Sequence, residues 1–293
     1  MTSSQYFARS VRIGAAQPGI GQTMMSSMNR KIAIIGWRTP KASRIWHAVI
    51  VVDIAVALVI QLALILTGGP DPNTGDTVAS VGIGTRMIQT LSFFTIQSNL
   101  LVLIVAITLV IDPRRDGRFW RVLRLDALLG IVITGLVFDL ILIHYVHPSG
   151  WQLVATIGFH YIAPWATLLG WLLFGPRPRI DRATMAWALV WPIAWIAYTF
   201  VRGALVHWYP YPFLNVQQIG FWTALRNTSF VVVLALVLMA VFKLIDRTGS
   251  TVGPAAPNQA KRRRGPQVLP VEGQVEGQVD GQVDPHPQSS PMQ

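Results

Sequence analysis

Thr95, Ser98 and Asn99 are the residues whose types and spacing could do chemistry. They lie in Phe93-Phe94-Thr95-Ile96-Gln97-Ser98-Asn99-Leu100, the opening of an apolar segment that runs to Ile111. They stand at i, i+3 and i+4, so on a helix they share one face. With its flank the segment is long enough to cross a bilayer. Hydrocarbon offers that face no water, so it must meet protein partners or a wet cavity. The chain has no cysteine, which removes thiolate nucleophiles, disulfides and Cys-ligated metal sites. The available nucleophiles are hydroxyls, and a hydroxyl, almost wholly protonated at neutral pH, needs a nearby base. His160 is the best placed base by depth in the membrane. Asn99, Arg202 or Arg226 could stabilise a developing oxyanion. Such a set suits acyl transfer or ester hydrolysis on a lipid. No Gly-x-Ser-x-Gly elbow, Walker loop, His-Glu-x-x-His or dinucleotide fingerprint appears, and no cofactor is expected.

The elements that must position these residues are membrane helices. The 293 residues are 52% hydrophobic and only 13% charged, with a mean hydropathy of +0.46. A soluble domain carries about 25% charged residues. Six apolar spans, each near the roughly 20 residues that cross a bilayer, are predicted at 45–67, 90–111, 122–145, 151–174, 184–206 and 219–244. Breakers mark the connections: Gly68-Gly69-Pro70, Asp112-Pro113, His147-Pro148, Pro176 and Pro178, and Tyr209-Pro210-Tyr211-Pro212. The fold class is therefore all-α, an integral membrane bundle of six transmembrane helices. It is flanked by a basic tail at 1–43 and a low-complexity tail at 248–293. The second tail holds Lys261-Arg262-Arg263-Arg264 and three Val-acid-Gly-Gln repeats, from Val271 to Gln282, a composition that cannot build a core.

Charge sets the orientation. The segments 1–44, 112–126, 176–183 and 243–293 hold 7, 5, 3 and 6 of the 24 Lys and Arg residues. Basic residues collect in cytoplasmic loops, so both termini are expected inside, in a plasma membrane. The same rule accounts for the net charge of +11 without nucleic acid, for which the binding motifs are missing. The expected partners are membrane lipids. Trp151, Trp208, Tyr209, Tyr211 and Trp222 then fall at the outer surface as interfacial aromatics.

Ionisable residues inside a membrane are expensive, and each is a functional hypothesis. At about 1.5 Å per residue, Thr95 lies roughly 6–8 Å below the outer end of its span, Asp139 roughly 9 Å, His160 roughly 13 Å, and Arg226 and Asn227 roughly 10–12 Å. Tyr198 and Arg202 form an i, i+4 pair in the outer half of span 5. Five spans thus bring polar side chains to a similar level, while the inner halves hold less. This implies a polar cavity in the outer half. Its substrate-binding candidates are Gln97, Ser98, Asn99, Asp139, Tyr198, Arg202, Arg226 and Asn227. Arg202 and Arg226 are expected to point inward and pair with Asp139 or a ligand anion. Each residue also has an ordinary structural use: Ser and Thr bond their own helix or glue helices together, and Arg202 and Tyr198 sit where side chains snorkel.

Phe94-Thr95-Ile96-Gln97-Ser98-Asn99, Phe159-His160-Tyr161-Ile162-Ala163-Pro164 and Trp208-Tyr209-Pro210-Tyr211-Pro212-Phe213 resemble actinobacterial six-span membrane proteins of the Pr-six-Pr type. These in turn resemble the eukaryotic androgen-induced protein family. The resemblance covers about 45–244 and neither tail. It implies an intramembrane hydrolase that cleaves fatty acid esters of hydroxy fatty acids with a Thr nucleophile and a His. Thr95 and His160 are the matching catalytic positions. The sequence departs from the eukaryotic pattern in the extra polar groups of Gln97-Ser98-Asn99 and in carrying Arg202 and Arg226.

Two other readings stand beside this one. His144, His147, His160, His207 and Asp139 all lie on the expected outer side, and three His with a carboxylate could hold zinc, although no two of these His have the i, i+4 spacing. The other is a transporter, which could use Arg202 and Arg226 to bind an anionic solute although no matching pair of Gly/Pro-broken spans appears, or a non-enzymatic sensor or scaffold in the membrane.

Overall fold

A computed structural model describes residues 39–69 and 81–248. The basic tail up to residue 38, Pro70 and the C-terminal repeats lie outside the described residues. The elements are α1 Pro40–Thr67, α2 Ile83–Ser92, α3 Phe94–Ile111, α4 Arg118–Leu140, α5 Gly150–Ile157, α6 Ala163–Phe174, α7 Arg182–Trp187, α8 Val190–Val206, α9 Val216–Ile219 and α10 Phe221–Arg247. A π-helical turn, Gly158–Ile162, joins α5 to α6. Short 3-10 turns stand at Leu142–His144 and Pro212–Leu214. No strand occurs among the described residues. Six helical stretches are long and apolar enough to cross a membrane: Pro40–Thr67, Phe94–Ile111, Arg118–His144, Gly150–Phe174, Arg182–Val206 and Phe221–Arg247. The protein is an all-helical, multi-pass membrane protein.

Local chemistry sets the helix ends. Thr39 caps α1 by accepting from the Ala42 N–H at 3.1 Å, and Pro40 follows at the first turn, where a missing N–H costs nothing. The helix stops at Gly68, whose φ of 74° suits glycine. Arg86 of α2, only 5% exposed, donates to the carbonyls of Leu64, Ile65 and Gly69. A guanidinium thus adds a donor to carbonyls at and just past the end of α1.

Burial is uneven. The α4 span has 61% of its apolar window buried, whereas the Arg182–Val206 span has 11% and α10 has 22%. The centre is α4, packed against α3 and α6, with α1 against α3, α5 and α6. The fifth and sixth spans sit at the periphery. Gly135 of α4 permits one close approach: a Cβ there would stand 3.0 Å from Pro164 Cβ and 3.4 Å from the His160 carbonyl.

Two features depart from a plain six-helix reading. The second span does not run unbroken from residue 90. Phe93 is extended (φ −67°, ψ 130°) and separates α2 from α3. The fourth span carries the π turn, in which the Ala163 N–H bonds to Gly158 O, five residues back. The cause lies one residue further on. Pro164 has no N–H for the His160 carbonyl, so the ladder changes register there.

Candidate active site

Both departures meet at one point. The break at Phe93 makes Thr95 the second residue of α3, and the π turn carries His160. Thr95 Oγ1 lies 3.4 Å from His160 Nε2. His160 Nδ1 lies 3.2 Å from the Thr156 carbonyl. A carbonyl can only accept, so Nδ1 carries the imidazole hydrogen and Nε2 presents a lone pair to Thr95. The His160 ring stacks on Phe138 at 4.0 Å and 26°, which fixes its plane. Both residues are buried, Thr95 at 2% and His160 at 1% exposure.

A third group joins them from the loop after α8. Tyr211 Oη lies 3.2 Å from the Thr95 N–H, which donates to it, and 3.2 Å from Thr95 Oγ1. Sequence reasoning placed Tyr211 at the surface as an interfacial aromatic. It is buried instead, at 5% exposure. Its ring packs edge-on against Phe93 at 5.7 Å and stacks on Phe213 at 5.4 Å. The Tyr-Pro-Tyr-Pro run breaks helical structure and turns the loop back into the bundle. Gly203 leaves room for this, because a Cβ there would collide with the Tyr209 ring.

Thr95 opens onto a pocket bounded by α3, α4, α8, α10 and the Pro212–Leu214 turn. His160 is not among its lining residues; it stands behind Thr95. The lining is Phe, Trp, Val, Ile, Leu, Pro and Ala, together with Tyr211 and the threonines 95, 134, 199 and 228. Among the described residues no charged side chain lines it. The expected polar cavity is thus an apolar pocket with hydroxyls, as the peripheral fifth and sixth spans supply mostly apolar faces.

The remaining candidates take other places. Asn99, fully buried, donates to the Thr95 carbonyl at 2.9 Å and the Phe159 carbonyl at 3.4 Å, tying α3 to the π turn. Ser98, also fully buried, faces Gly130. Gln97 accepts from Trp191 Nε1 at 3.0 Å and donates to Leu91 O at 2.9 Å. Asn227 donates to Phe213 O at 3.0 Å and holds the loop beside the pocket. The Tyr198 and Ser92 hydroxyls bond at 2.8 Å, and neither residue lines the pocket. Asp139 is half-buried and bonds the Tyr161 hydroxyl.

The expected arginine pairing does not occur. Arg226 is exposed on α10. Arg202 is half-buried with its guanidinium 4.9 Å from the Trp208 ring centre. The ion pairs among the described residues join Arg121 and Arg179 to Asp116 and Asp181, not Asp139 to either arginine. The physical reason is that Arg226 is exposed and that Trp208, not Asp139, takes the Arg202 guanidinium.

Nor is the opposite end poor in buried polar groups. Asp246, fully buried, accepts from the Arg179 and Ile180 N–H groups at 2.8–3.0 Å. Arg124, 8% exposed, donates to the Gly175 carbonyl. Just before the fifth span, Asp181 accepts from the Thr184 N–H at 2.7 Å, a bond that holds its carboxyl below the usual carboxylate range. His144, His147 and His207 are exposed and His160 is buried, and no group of three His, Asp or Glu among the described residues could hold a metal ion. The zinc reading therefore has no site here.

No protein family, curated protein or solved structure matches the chain.

Proposed function

We propose that this membrane protein is an intramembrane hydrolase of lipid esters, with Thr95 as nucleophile and His160 as general base. One observation carries the reading. A buried threonine hydroxyl faces the unprotonated nitrogen of a buried histidine and opens on its other side into an apolar pocket. The 3.4 Å separation is long for a hydrogen bond, but catalytic contacts are often long before substrate binds and tighten in the complex. Thr95 sits at the positive end of the α3 dipole, which favours negative charge developing on Oγ1.

In the proposed reaction an ester enters the pocket with its apolar chain along α8 and α10. Thr95 Oγ1 attacks the carbonyl carbon while its proton passes to His160 Nε2. The carbonyl π electrons move to oxygen. Collapse of the tetrahedral intermediate breaks the bond to the leaving alcohol, which takes the proton from His160. Water then attacks the acyl-threonine with His160 again as base, which regenerates Thr95 and releases the acid. The resemblance of the Thr95 and His160 segments to the androgen-induced protein family supports the same two roles. The charge distribution supports a site in the outer half of the plasma membrane, with both termini inside.

The test is hydrolysis of lipid esters by purified protein in detergent or nanodiscs. Thr95→Ala is expected to abolish turnover. Undiminished turnover in that variant would remove Thr95 as nucleophile.

A further inference from the structure

We propose that Tyr211 is a third catalytic residue, the donor that stabilises the oxyanion, an assignment that rests on the Thr95–His160 reading. The hydrogen-bond directions lead to it. The Thr156 carbonyl holds the hydrogen on His160 Nδ1, so the Thr95 hydroxyl donates to His160 Nε2. The backbone N–H of Thr95 donates to Tyr211 Oη. With the Thr95 hydrogen committed to His160, the Tyr211 hydroxyl is the donor of the 3.2 Å pair with Thr95 Oγ1. The chain of donation runs from the Thr95 amide to Tyr211, to the Thr95 hydroxyl, to His160 and to Thr156.

Tyr211 also lines the pocket, whereas His160 does not. Its hydroxyl therefore stands on the side from which a carbonyl group approaches. When Thr95 Oγ1 bonds to the carbonyl carbon, it becomes an ester-type oxygen and a weaker acceptor. The negative charge moves to the carbonyl oxygen, which is attached to the same carbon. Rotation about the Tyr211 C–O bond carries the hydrogen from Oγ1 to that oxygen, with no movement of the ring. The Thr95 amide bond to Oη leaves the hydroxyl aimed. A donor in place before the charge develops is worth most in a site closed to water, and Tyr211 is buried. Among the described residues no Lys or Arg lines the pocket to do this work. Phe93 and Phe213 hold the ring, so the hydroxyl can be removed without removing its support.

The experiment compares wild type with Tyr211→Phe, Thr95→Ala and His160→Ala. The readouts are hydrolysis of 4-nitrophenyl octanoate in detergent micelles, rate of labelling by a fluorophosphonate, and thermal unfolding. Tyr211→Phe is expected to lower kcat and the labelling rate about 100-fold, the effect of one lost oxyanion donor, with KM and unfolding temperature held. A Tyr211→Phe rate within threefold of wild type, beside inactive Thr95→Ala and His160→Ala, overturns the role of Tyr211 and leaves the Thr–His reading standing. Full activity in Thr95→Ala, or a wild type that neither hydrolyses the ester nor takes the label, overturns both. If Tyr211→Phe does not fold, fluorinated tyrosines at position 211 replace it. They keep the ring and the hydroxyl and raise its acidity. A kcat that shifts with that acidity supports the assignment, and a flat one overturns it.

Discussion

His160 Nδ1 lies 3.2 Å from the carbonyl of Thr156, four residues back in its own chain. His160 stands in the π turn Gly158–Ile162, and its imidazole donates to that backbone carbonyl. The tautomer is thus set by backbone, not by a carboxylate as in the Ser-His-Asp arrangement.

A backbone orienter cannot be mutated away, but the turn that creates it can. Pro164→Ala restores a donor for the His160 carbonyl and permits an α-helical register, which turns a side chain by about 100° per residue shifted. Turnover is expected to fall about 100-fold, the effect of misplacing a catalytic group by an ångström or so, with the unfolding temperature unchanged or raised. Unchanged turnover would mean that Phe138 stacking and Asn99 hold His160 without the proline.

His160→Ala removes the base while leaving the threonine in place. The expected loss in kcat is on the order of 10²–10⁴-fold. Steady-state hydrolysis beside thermal unfolding checks it: the rate should fall while the fold holds. A variant that keeps the wild-type rate would assign the base elsewhere.

Pocket length should set chain length. Ala235 of α10 lines the pocket and is 8% exposed. Ala235→Phe fills space there without touching Thr95. Hydrolysis of long-chain esters should fall at least tenfold while short-chain esters hold, since an overfilled apolar site excludes by volume. An equal loss across chain lengths would place the acyl chain elsewhere.

Arg86 offers a test of stability separate from catalysis. Arg86→Ala removes the donor to three carbonyls at the end of α1. It is expected to destabilise the protein by about 2 kcal/mol, read by unfolding in detergent, with turnover per folded molecule unchanged.

Orientation can be read directly because the chain contains no cysteine. Ser149→Cys and Arg115→Cys place single thiols on exposed connections at opposite ends. On intact cells a membrane-impermeant maleimide should label the first and not the second. The reverse pattern would invert the proposed topology.

The sequence by itself determined that six apolar helices make up this protein, because length and hydropathy are properties of a segment alone. Gly68, Pro113 and Pro148 marked ends in the same local way. It also singled out Thr95 and His160, by residue type and depth. The tertiary structure decided that those two meet, since their contact joins residues 65 apart through the packing of α3 on the π turn. It decided that Asn99 ties backbone while Ser98 faces Gly130, because a shared helix face still spans more than one neighbour. It sent Arg226 outward, since which face of α10 is buried depends on how few helices surround it. Tyr211 was hidden in a stretch whose aromatic and proline content reads equally well as an interfacial loop. Only the folding of that loop against Phe93 and Gly203 brought its hydroxyl to Thr95, because a loop's destination depends on long-range packing and not on its own residues.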